Sequence, residues 1–257
     1  MTHLNNIISI IMPVYNGNKT IKASIESILN QTYLQWELII VDDASIDNTV
    51  DIIKSFIETD SRIILHLNKY NQGVAVARNV GIKQAIGKYI AFLDSDDLWH
   101  TEKLMKQFHY MEKNNVLISF TRTAYINTLG KIHKYIAKIN KTLNYKQLLR
   151  RNIMSCSSVM VRREIMMEFP KGYIHEDYAV WLKIVKKTGL AHGINETLVF
   201  YRISEHSKSS KRIGSAIMTR NTYLHIGYGR FTSTLLTFRY AFHSITKRSL
   251  IRIVGVK

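Results

Sequence analysis

The chain has 257 residues, of which 46% are hydrophobic and 21% charged, with one cysteine and a formal net charge of +17. This composition is typical of a globular protein of one or two domains and excludes a disordered, collagen-like or coiled-coil chain. Because Cys156 is alone, an internal disulfide is excluded, no Cys/His zinc cluster is predicted, and we expect a reducing compartment. The sequence contains no run of 18 apolar residues, so no membrane-spanning helix is predicted.

The positive charge lies in the C-terminal part of the chain. Residues 1–100 contain 8 basic and 11 acidic side chains, whereas residues 101–257 contain 28 and 8. From residue 206 to the end there are 10 Lys or Arg residues and no Asp or Glu. Such a segment predicts either a well-solvated surface or contact with an anionic partner: a phospholipid surface, a phosphate-bearing substrate or nucleic acid.

Short apolar strands alternate with amphipathic helices over the first hundred residues. We predict strands at 7–14, 37–41, 62–67 and 89–93, each followed by a helix. The predicted helices contain Ile21, Ile25, Ile28 and Leu29; Val50, Ile53 and Ile57; residues 73–86; and Leu104, Phe108 and Met111. Asn18 is predicted to cap the first helix. Strict alternation indicates parallel strands with crossover helices, and hence an α/β open sheet.

The pattern is less regular after residue 110. We predict strands at 116–121 and 157–161, a basic loop-rich stretch over 131–146, and a helix over 176–187. No repeat or Pro/Gly-rich linker divides the chain. The prediction is therefore one mostly parallel α/β domain over residues 1–205, flanked by helices, with a basic helical extension over 206–257.

Acidic residues follow two of the predicted strands. Asp42 and Asp43 come after one strand, and the run 94–97 (DSDD) comes after another. Ligands of open α/β sheets bind at the carboxyl ends of the strands, and carboxylates two residues apart can share a divalent cation with phosphate oxygens. Turn formation and helix capping explain the same residues equally well.

Four segments in order resemble family 2 glycosyltransferases of the GT-A fold. They are SIIMPVYN at 9–16, ELIIVDDASIDNT at 37–49, NQGVAVARN at 71–79 and AFLDSDD at 91–97. With Glu176-Asp177 and Tyr201-Arg202, the resemblance spans residues 6–210. It implies a Rossmann-like sheet with a nucleotide-binding half at about 1–100 and an acceptor-binding half at about 101–205.

The resemblance assigns nucleotide-binding residues. Pro13, Val14 and Tyr15 match the loop that lines the nucleotide pocket, and Asp42 matches the carboxylate that accepts a hydrogen bond from the uracil N–H. Arg78 matches a basic residue whose charge offsets the diphosphate. Asp94, Ser95 and Asp96 match the DxD motif, with Asp94 directed toward the ribose and Asp96 toward a Mn²⁺ or Mg²⁺ ion. Asp43 is interpreted as a turn former or cap.

Asp177 is the predicted catalytic base. Attack of an alcohol on an anomeric carbon requires a base to take the hydroxyl proton, and the second acid of a Glu-Asp pair serves this purpose in the family. Glu176 and Asp177 match that pair. The alternative is a structural role, because an acidic side chain in the first turn of a helix is stabilised by the helix dipole.

Three further residues are weaker candidates. Many relatives have a metal- or phosphate-approaching histidine two positions after the Tyr-Arg pair, where this chain has Ser204. His206 either takes that place or is a surface residue, and Arg202 is a candidate phosphate ligand. Trp181 either stacks on a sugar or belongs to the core.

The basic extension mixes aromatic and aliphatic residues with Lys and Arg over 230–257. This composition predicts an interfacial membrane segment, because aromatic side chains settle at headgroup depth and basic ones meet anionic lipid. A pair of helices that packs on the catalytic domain is the alternative, and the two interpretations are compatible.

Together these features predict an inverting, metal-dependent hexosyl- or N-acetylhexosaminyltransferase. The donor is a UDP-sugar, and the acceptor is a hydroxyl of a lipid-linked or lipopolysaccharide-type saccharide in bacterial surface polysaccharide synthesis. We expect a cytoplasmic protein held peripherally on the anionic inner face of the membrane, with no nucleic-acid partner. A nucleotidyltransferase lacks support because residues 13–17 (PVYNG) supply no basic, glycine-rich phosphate loop. A basic binding module would not need acidic clusters at two strand ends.

Overall fold

A computed structural model of the chain describes residues 6–128, 130–136, 138–203 and 212–254. Its first half alternates strand and helix without exception. The elements are β1 (Ile8–Val14), α1 (Ile21–Leu29), β2 (Trp36–Asp42), α2 (Thr49–Ile57), β3 (Ile63–Leu67), α3 (Val74–Gln84) and β4 (Tyr89–Phe92). Each corresponds to a predicted strand or helix, with ends shifted by a few residues.

The second half is richer in strands. It contains β5 (Leu98–Trp99), α4 (Lys103–Lys113), β6 (Ile118–Ile126), β7 (Ile132–Ile136), β8 (Thr142–Asn144), α5 (Tyr145–Arg150), β9 (Val159–Arg162), α6 (Glu176–Thr188), β10 (Leu190–Arg202), α7 (Arg212–His225) and α8 (Arg230–Val254). The last two helices lie in the basic extension.

One ten-stranded sheet organises the chain. Its order is β3-β2-β1-β4-β9-β6-β10-β5, while β7 pairs with β6 and β8 pairs with β10. Strands β1 to β4 pair in parallel, β9 is antiparallel to both β4 and β6, and β10 is parallel to β6. The antiparallel β9 therefore joins the parallel strands β1 to β4 to the strands of the second half, β6 and β10.

Both faces of the sheet are buried, which explains why its central strands are continuously apolar. In β1, Ile10 and Met12 pack into the cluster on one face, and Ile11 packs into the cluster on the other. Helix α3 approaches β1 closely at Gly81, where an added Cβ would lie 2.7 Å from Ile11 Cγ2. The absence of a side chain at Gly81 therefore allows α3 to pack this closely on the sheet.

Two local predictions were wrong, and two elements were missed. Helix α1 has Thr20 at its N-cap position without a side-chain cap, while the backbone N–H of Asn18 donates to Asp47 Oδ2. The stretch 131–146, predicted as loop-rich, contains β7, β8 and the start of α5. The long strand β10 and helix α5 were not predicted at all.

Helices α7 and α8 pack on the α/β layers. Tyr223 of α7 is fully buried in the same core cluster as Tyr178 of α6, and Tyr228 and Tyr240 pack against that cluster. The Tyr223 hydroxyl donates to the carbonyl of Leu149 at 2.8 Å. Among the described helices, none has both the length and the apolar composition to cross a bilayer.

Candidate active site

A buried carboxylate stands at the end of β2. Asp42 is almost fully buried; its Oδ2 accepts a hydrogen bond from the backbone N–H of Ser45 at 2.9 Å. Its Oδ1 has no partner among the described residues. A buried acceptor without a donor is costly, so this oxygen is suited to an N–H supplied by a ligand. Pro13 and Val14 lie beside it, in register with Val41 and Asp42.

The loops after β1 and β2 are joined by hydrogen bonds. The N–H of Asn16 donates to Ser45 Oγ at 2.8 Å, and the N–H of Ile46 donates to Asn16 Oδ1 at 2.9 Å. Asn16 and Ala44 both have a positive φ, of 50° and 65°. The joined loops fix Tyr15, which is 48% exposed, next to the end of β2.

The loop after β4 is held by serines from two other elements. Ser24 Oγ of α1 lies 2.9 Å from the carbonyl oxygen of Ser95 and 2.8 Å from that of Asp97. Ser157 Oγ donates to Asp97 Oδ2 at 2.6 Å, and the N–H of Arg202 donates to Asp97 Oδ1 at 3.1 Å. Burial, reinforced by Asp96, raises the pKa of Asp97 well above its ordinary value. Asp97 therefore supports the loop.

Arg78 of α3 connects this loop to α6. Its Nη2 lies 2.7 Å from Asp94 Oδ1 and its Nη1 lies 2.9 Å from Glu176 Oε1. The guanidinium is buried, and its Cζ lies 5.2 Å from the centroid of the Phe169 ring. One side chain thus brings the DxD loop and the start of α6 to the same cleft. The contact of Arg78 with the donor diphosphate stays a prediction.

Two carboxyls of the cleft have raised pKa values. Loss of hydration in the crowded cleft, and secondly the charge of Asp94, raise the pKa of Asp96 to about 6, although its side chain reaches solvent. Burial, and secondly Glu176, raise the pKa of Asp177 to about 7. Asp177 lies in the first turn of α6 and is partly exposed. A carboxyl with a pKa near neutrality is matched to general-base chemistry at that pH.

The start of α6 is fixed by α7, which the sequence did not indicate. The backbone N–H of His175, just before the helix, donates to Thr222 Oγ1 at 3.0 Å. His175 Nε2 lies 3.2 Å from the carbonyl oxygen of Ser215, and Asn221 Nδ2 donates to the carbonyl of Tyr173 at 3.1 Å. These contacts join the basic extension to the segment that positions Asp177.

The carboxylates fit a cation that arrives with a diphosphate. Among the described residues, no group of three or more His, Cys, Asp or Glu side chains is placed to hold a metal. Of the three acids in this loop, Asp94 is partly buried and paired with Arg78, Asp97 is buried, and Asp96 is exposed. Mg²⁺ in nucleotide sites takes one or two carboxylates plus phosphate oxygens, so this arrangement suits such an ion and not an all-protein cage.

The other candidates differ in position. Trp181 has no exposed surface and packs against Phe92 and Phe169, so its interpretation as a sugar platform was wrong and its core interpretation is confirmed. Asp43 accepts hydrogen bonds from the N–H groups of Gln72 and Gly73, just before α3, so it joins the end of β2 to that loop and does not form a local turn or cap of its own.

Arg202 is engaged with backbone carbonyls of the surrounding loops. It donates to the carbonyls of Asp96, Asn127 and Thr128 at 2.9, 3.2 and 2.9 Å. Its guanidinium therefore braces the loop after β4, and its role as a phosphate ligand stays a prediction. His206 lies outside the described residues.

Two glucosyltransferases of Escherichia coli are similar in sequence to most of this chain. The glucosyltransferase WfgD of Escherichia coli, named for transfer from UDP-Glc to α-D-GlcNAc-diphosphoundecaprenol, is 41% identical over 209 residues, covering 80% of this chain and 81% of its own. WfaP of Escherichia coli, named for the same β-1,3-glucosyl transfer, is 37% identical over 242 residues, covering 94% and 95%.

Solved structures show the same GT-A fold. S. aureus TarS 1–349 in complex with UDP-GlcNAc superposes with a TM-score of 0.71 at 17% identity, covering 91% of this chain and 71% of that one. The mannosyltransferase PcManGT from Pyrobaculum calidifontis, in complex with GDP-Man and Mn²⁺, gives 0.69 at 19% identity, covering 91% and 69%. The glycosyl transferase family 2 model matches residues 9–169. The chain belongs to glycosyl transferase family 2, and its fold is the GT-A fold of these enzymes.

Proposed function

We propose that this glycosyltransferase moves a hexose or N-acetylhexosamine from a UDP-sugar to a hydroxyl of a lipid-linked saccharide, with inversion, during synthesis of a bacterial surface polysaccharide. The names of WfgD and WfaP support both the UDP-sugar and the diphosphoundecaprenol-linked acceptor. The observation that carries the proposal is the double contact of Arg78 with Asp94 and Glu176, because it brings the predicted nucleotide loop to the start of α6, where the base candidate Asp177 lies.

The donor occupies the half formed by residues 1–100. Asp42 Oδ1 accepts the N–H of uracil, which would satisfy a buried acceptor that lacks a protein donor. Tyr15 lies near the base, and Pro13 and Val14 form the wall at the end of β1. Asp94 and Ser95 bind the ribose side, with Asp94 oriented by its ion pair with Arg78.

The acceptor enters from the half formed by residues 101–205. Its hydroxyl oxygen forms a bond to the anomeric carbon while the bond from that carbon to the diphosphate oxygen breaks, with the electron pair leaving on UDP. Asp177 takes the hydroxyl proton in the same step. Because attack and departure occur on opposite faces of the sugar, a single displacement inverts the anomeric centre.

Asp96 would hold the divalent cation together with phosphate oxygens of the donor. When bound, Mn²⁺ or Mg²⁺ supplies Lewis-acid stabilisation of the negative charge that grows on the departing diphosphate. His206 is a further candidate ligand by sequence position alone. The raised pKa of Asp96, caused by crowding and by Asp94, supports a site that favours added positive charge.

The acceptor class implies work at the inner face of the cytoplasmic membrane. The segment 206–257, with 10 basic and no acidic residues, supports attraction to an anionic bilayer. We propose a peripheral protein at that surface.

Donor and metal dependence test the proposal together. Purified full-length chain is mixed with a panel of UDP- and GDP-sugars with Mn²⁺, with Mg²⁺ or with chelator, and release of the nucleoside diphosphate is followed. We expect slow hydrolysis of a UDP-sugar that stops in chelator. Equal turnover with and without metal would contradict the role of Asp96, and a preference for GDP-sugars would contradict that of Asp42.

A further inference from the structure

A basic groove opens between α5 and α8, outside the catalytic cleft. It has a volume of about 140 Å³ and is lined by Lys146, Leu149, Arg150, Leu236 and Arg239. The two leucines are partly buried, and the three basic side chains are exposed around them. No acidic residue lines it, so the groove combines an apolar floor with a cationic rim.

The rim is electrostatically suited to an anion. None of the salt bridges found among the described residues involves Lys146, Arg150 or Arg239. Three like charges around one opening repel each other, and a phosphate group between them would remove that repulsion and accept hydrogen bonds from both arginines. The groove therefore fits a phosphate-bearing headgroup.

An apolar stripe on α8 lies next to the groove. It consists of Phe231, Leu235, Phe238 and Phe242, which are 84%, 61%, 69% and 67% exposed. Spacings of four, three and four residues place them on one helical face. Arg239, on the rim of the groove, lies four residues after Leu235 and three before Phe242, so the rim adjoins the stripe on the helix surface.

We propose that this surface docks on a bilayer that contains anionic phospholipid, with the stripe in the acyl–headgroup boundary and the groove around a lipid phosphate. This inference rests on the proposed function, because the reason to dock on such a bilayer is that it contains the lipid-linked acceptor. A second copy of the chain is disfavoured as the occupant. Two copies face to face would bring together segments that each carry 10 basic and no acidic residues.

The same helix connects the docking surface to the predicted base. Tyr240, between the rim and the core, packs its ring 5.8 Å from that of Tyr178, the neighbour of Asp177 in α6. Helix α7 holds the segment before α6 through Thr222 and His175. A bilayer bound by α8 would therefore be linked through Tyr240 and Tyr178 to the helix that carries Asp177, which suits an acceptor carried on a lipid diphosphate.

Sedimentation with vesicles tests the proposal on the full-length chain. The vesicles are phosphatidylcholine alone or with one-third phosphatidylglycerol, and free inorganic phosphate at 10 mM is a competitor. The stripe variant carries Phe231→Ser, Leu235→Ser and Phe238→Ser. The rim variant carries Lys146→Gln, Arg150→Gln and Arg239→Gln.

Matched controls remove the same chemistry elsewhere on the surface. Leu34→Ser, Ile64→Ser and Leu67→Ser change three exposed apolar residues, and Lys54→Gln, Lys113→Gln and Lys187→Gln remove three exposed positive charges. All variants alter exposed side chains, and thermal unfolding checks that each one folds.

We expect the native chain to bind only the anionic vesicles, and phosphate not to release it. The stripe variant should bind roughly 100-fold more weakly, because three apolar side chains no longer enter the interface. The rim variant should bind at least about tenfold more weakly and depend less on salt concentration than the native chain, while both controls bind normally.

Three results would overturn the proposal. One is equal vesicle binding by the stripe variant and its control; another is complete release by free phosphate, which would assign the groove to a soluble anion. The third is a native dimer that the stripe variant converts to monomer without any change in vesicle binding. Nucleotide release from UDP-sugars, measured without vesicles, reports on the proposed activity separately from docking.

Discussion

Replacement of Asp177 by Asn should stabilise the protein while abolishing most of its activity. The pKa of this carboxyl rises from its ordinary value of 3.8 to about 7, first through burial and secondly through Glu176. Ionised Asp177 is therefore unfavourable in the folded state. The Tyr178 N–H donates to Asp177 Oδ1 at 2.7 Å in the native chain; Asn provides an amide oxygen that can accept the same hydrogen bond, and it removes the charge.

The magnitude follows from the difference in pKa. Roughly three pKa units correspond to about 4 kcal/mol, since one unit is worth 1.36 kcal/mol. Water reaches part of the Asp177 side chain and screens its charge, so we expect a gain of about 1–3 kcal/mol at pH 8. The cost of ionisation begins above the unfolded pKa and is complete above the folded pKa. The gain should therefore be absent at pH 4, grow from pH 4 to 7, and stay constant above.

Two assays on the same protein check this. Urea unfolding of the native chain and of Asp177→Asn at pH 4 and pH 8 gives the difference in free energy of unfolding. Transfer assays at saturating UDP-sugar should show kcat reduced about 10²- to 10⁴-fold, with unchanged donor binding. Asp51→Asn, which changes an exposed first-turn acid of α2, is the matched control and should alter neither. A gain that does not depend on pH, or loss of donor binding, would refute the reasoning.

Four further predictions follow from the site and the core. For the native chain, kcat/KM should fall as the pH drops below about 7, because Asp177 becomes protonated; a flat profile from pH 5 to 8 would contradict its role as base. Asp42→Ala should weaken UDP binding about 10- to 100-fold in calorimetry, since a charged acceptor is lost, and unchanged affinity would remove it from the base-binding site. Arg78→Met should lower the free energy of unfolding by about 3–5 kcal/mol and reduce transfer, because Asp94 and Glu176 lose their buried partner; a fully stable variant would contradict this. Gly81→Val should cost about 1–3 kcal/mol in the same measurement, because its Cβ would lie 2.7 Å from Ile11 Cγ2, and an unchanged midpoint would show that α3 can move away.

The strand–helix alternation of the first half was predictable because its signals are local. Strands β1, β2 and β4 are buried on both faces and appear as continuous apolar runs between helical periodicities. Strand β10 gave no such signal. Its sequence, LAHGINETLVFYR, contains exposed Asn195 and Glu196, and its pairing with β6 shifts register between Ile194 and Val199. Partners distant in sequence determine that strand and also β8, which pairs with it, whereas β7 forms a hairpin with the preceding strand β6.

Sequence motifs pointed to the carboxylates of the candidate site but not to the residues that hold them in place. The contact from Ser24 to Asp97 spans 73 residues, that from Ser157 to Asp97 spans 60, and that from His175 to Thr222 spans 47. Ser and Thr at such positions carry no periodic or local signal, so only the fold reveals them. Trp181 shows the converse: its aromatic ring suggested a sugar contact, yet its place on the apolar face of α6 puts it in the core.

The stereochemistry of the product tests the central claim most directly. Transfer from an α-linked UDP-sugar to a diphospholipid-linked GlcNAc acceptor can be followed by proton NMR at the new anomeric centre. A cleft in which Asp177 activates the acceptor opposite a departing UDP predicts a β-linked product from the native chain and almost none from Asp177→Asn. An α-linked product, or full transfer by Asp177→Asn, would contradict single displacement at this site.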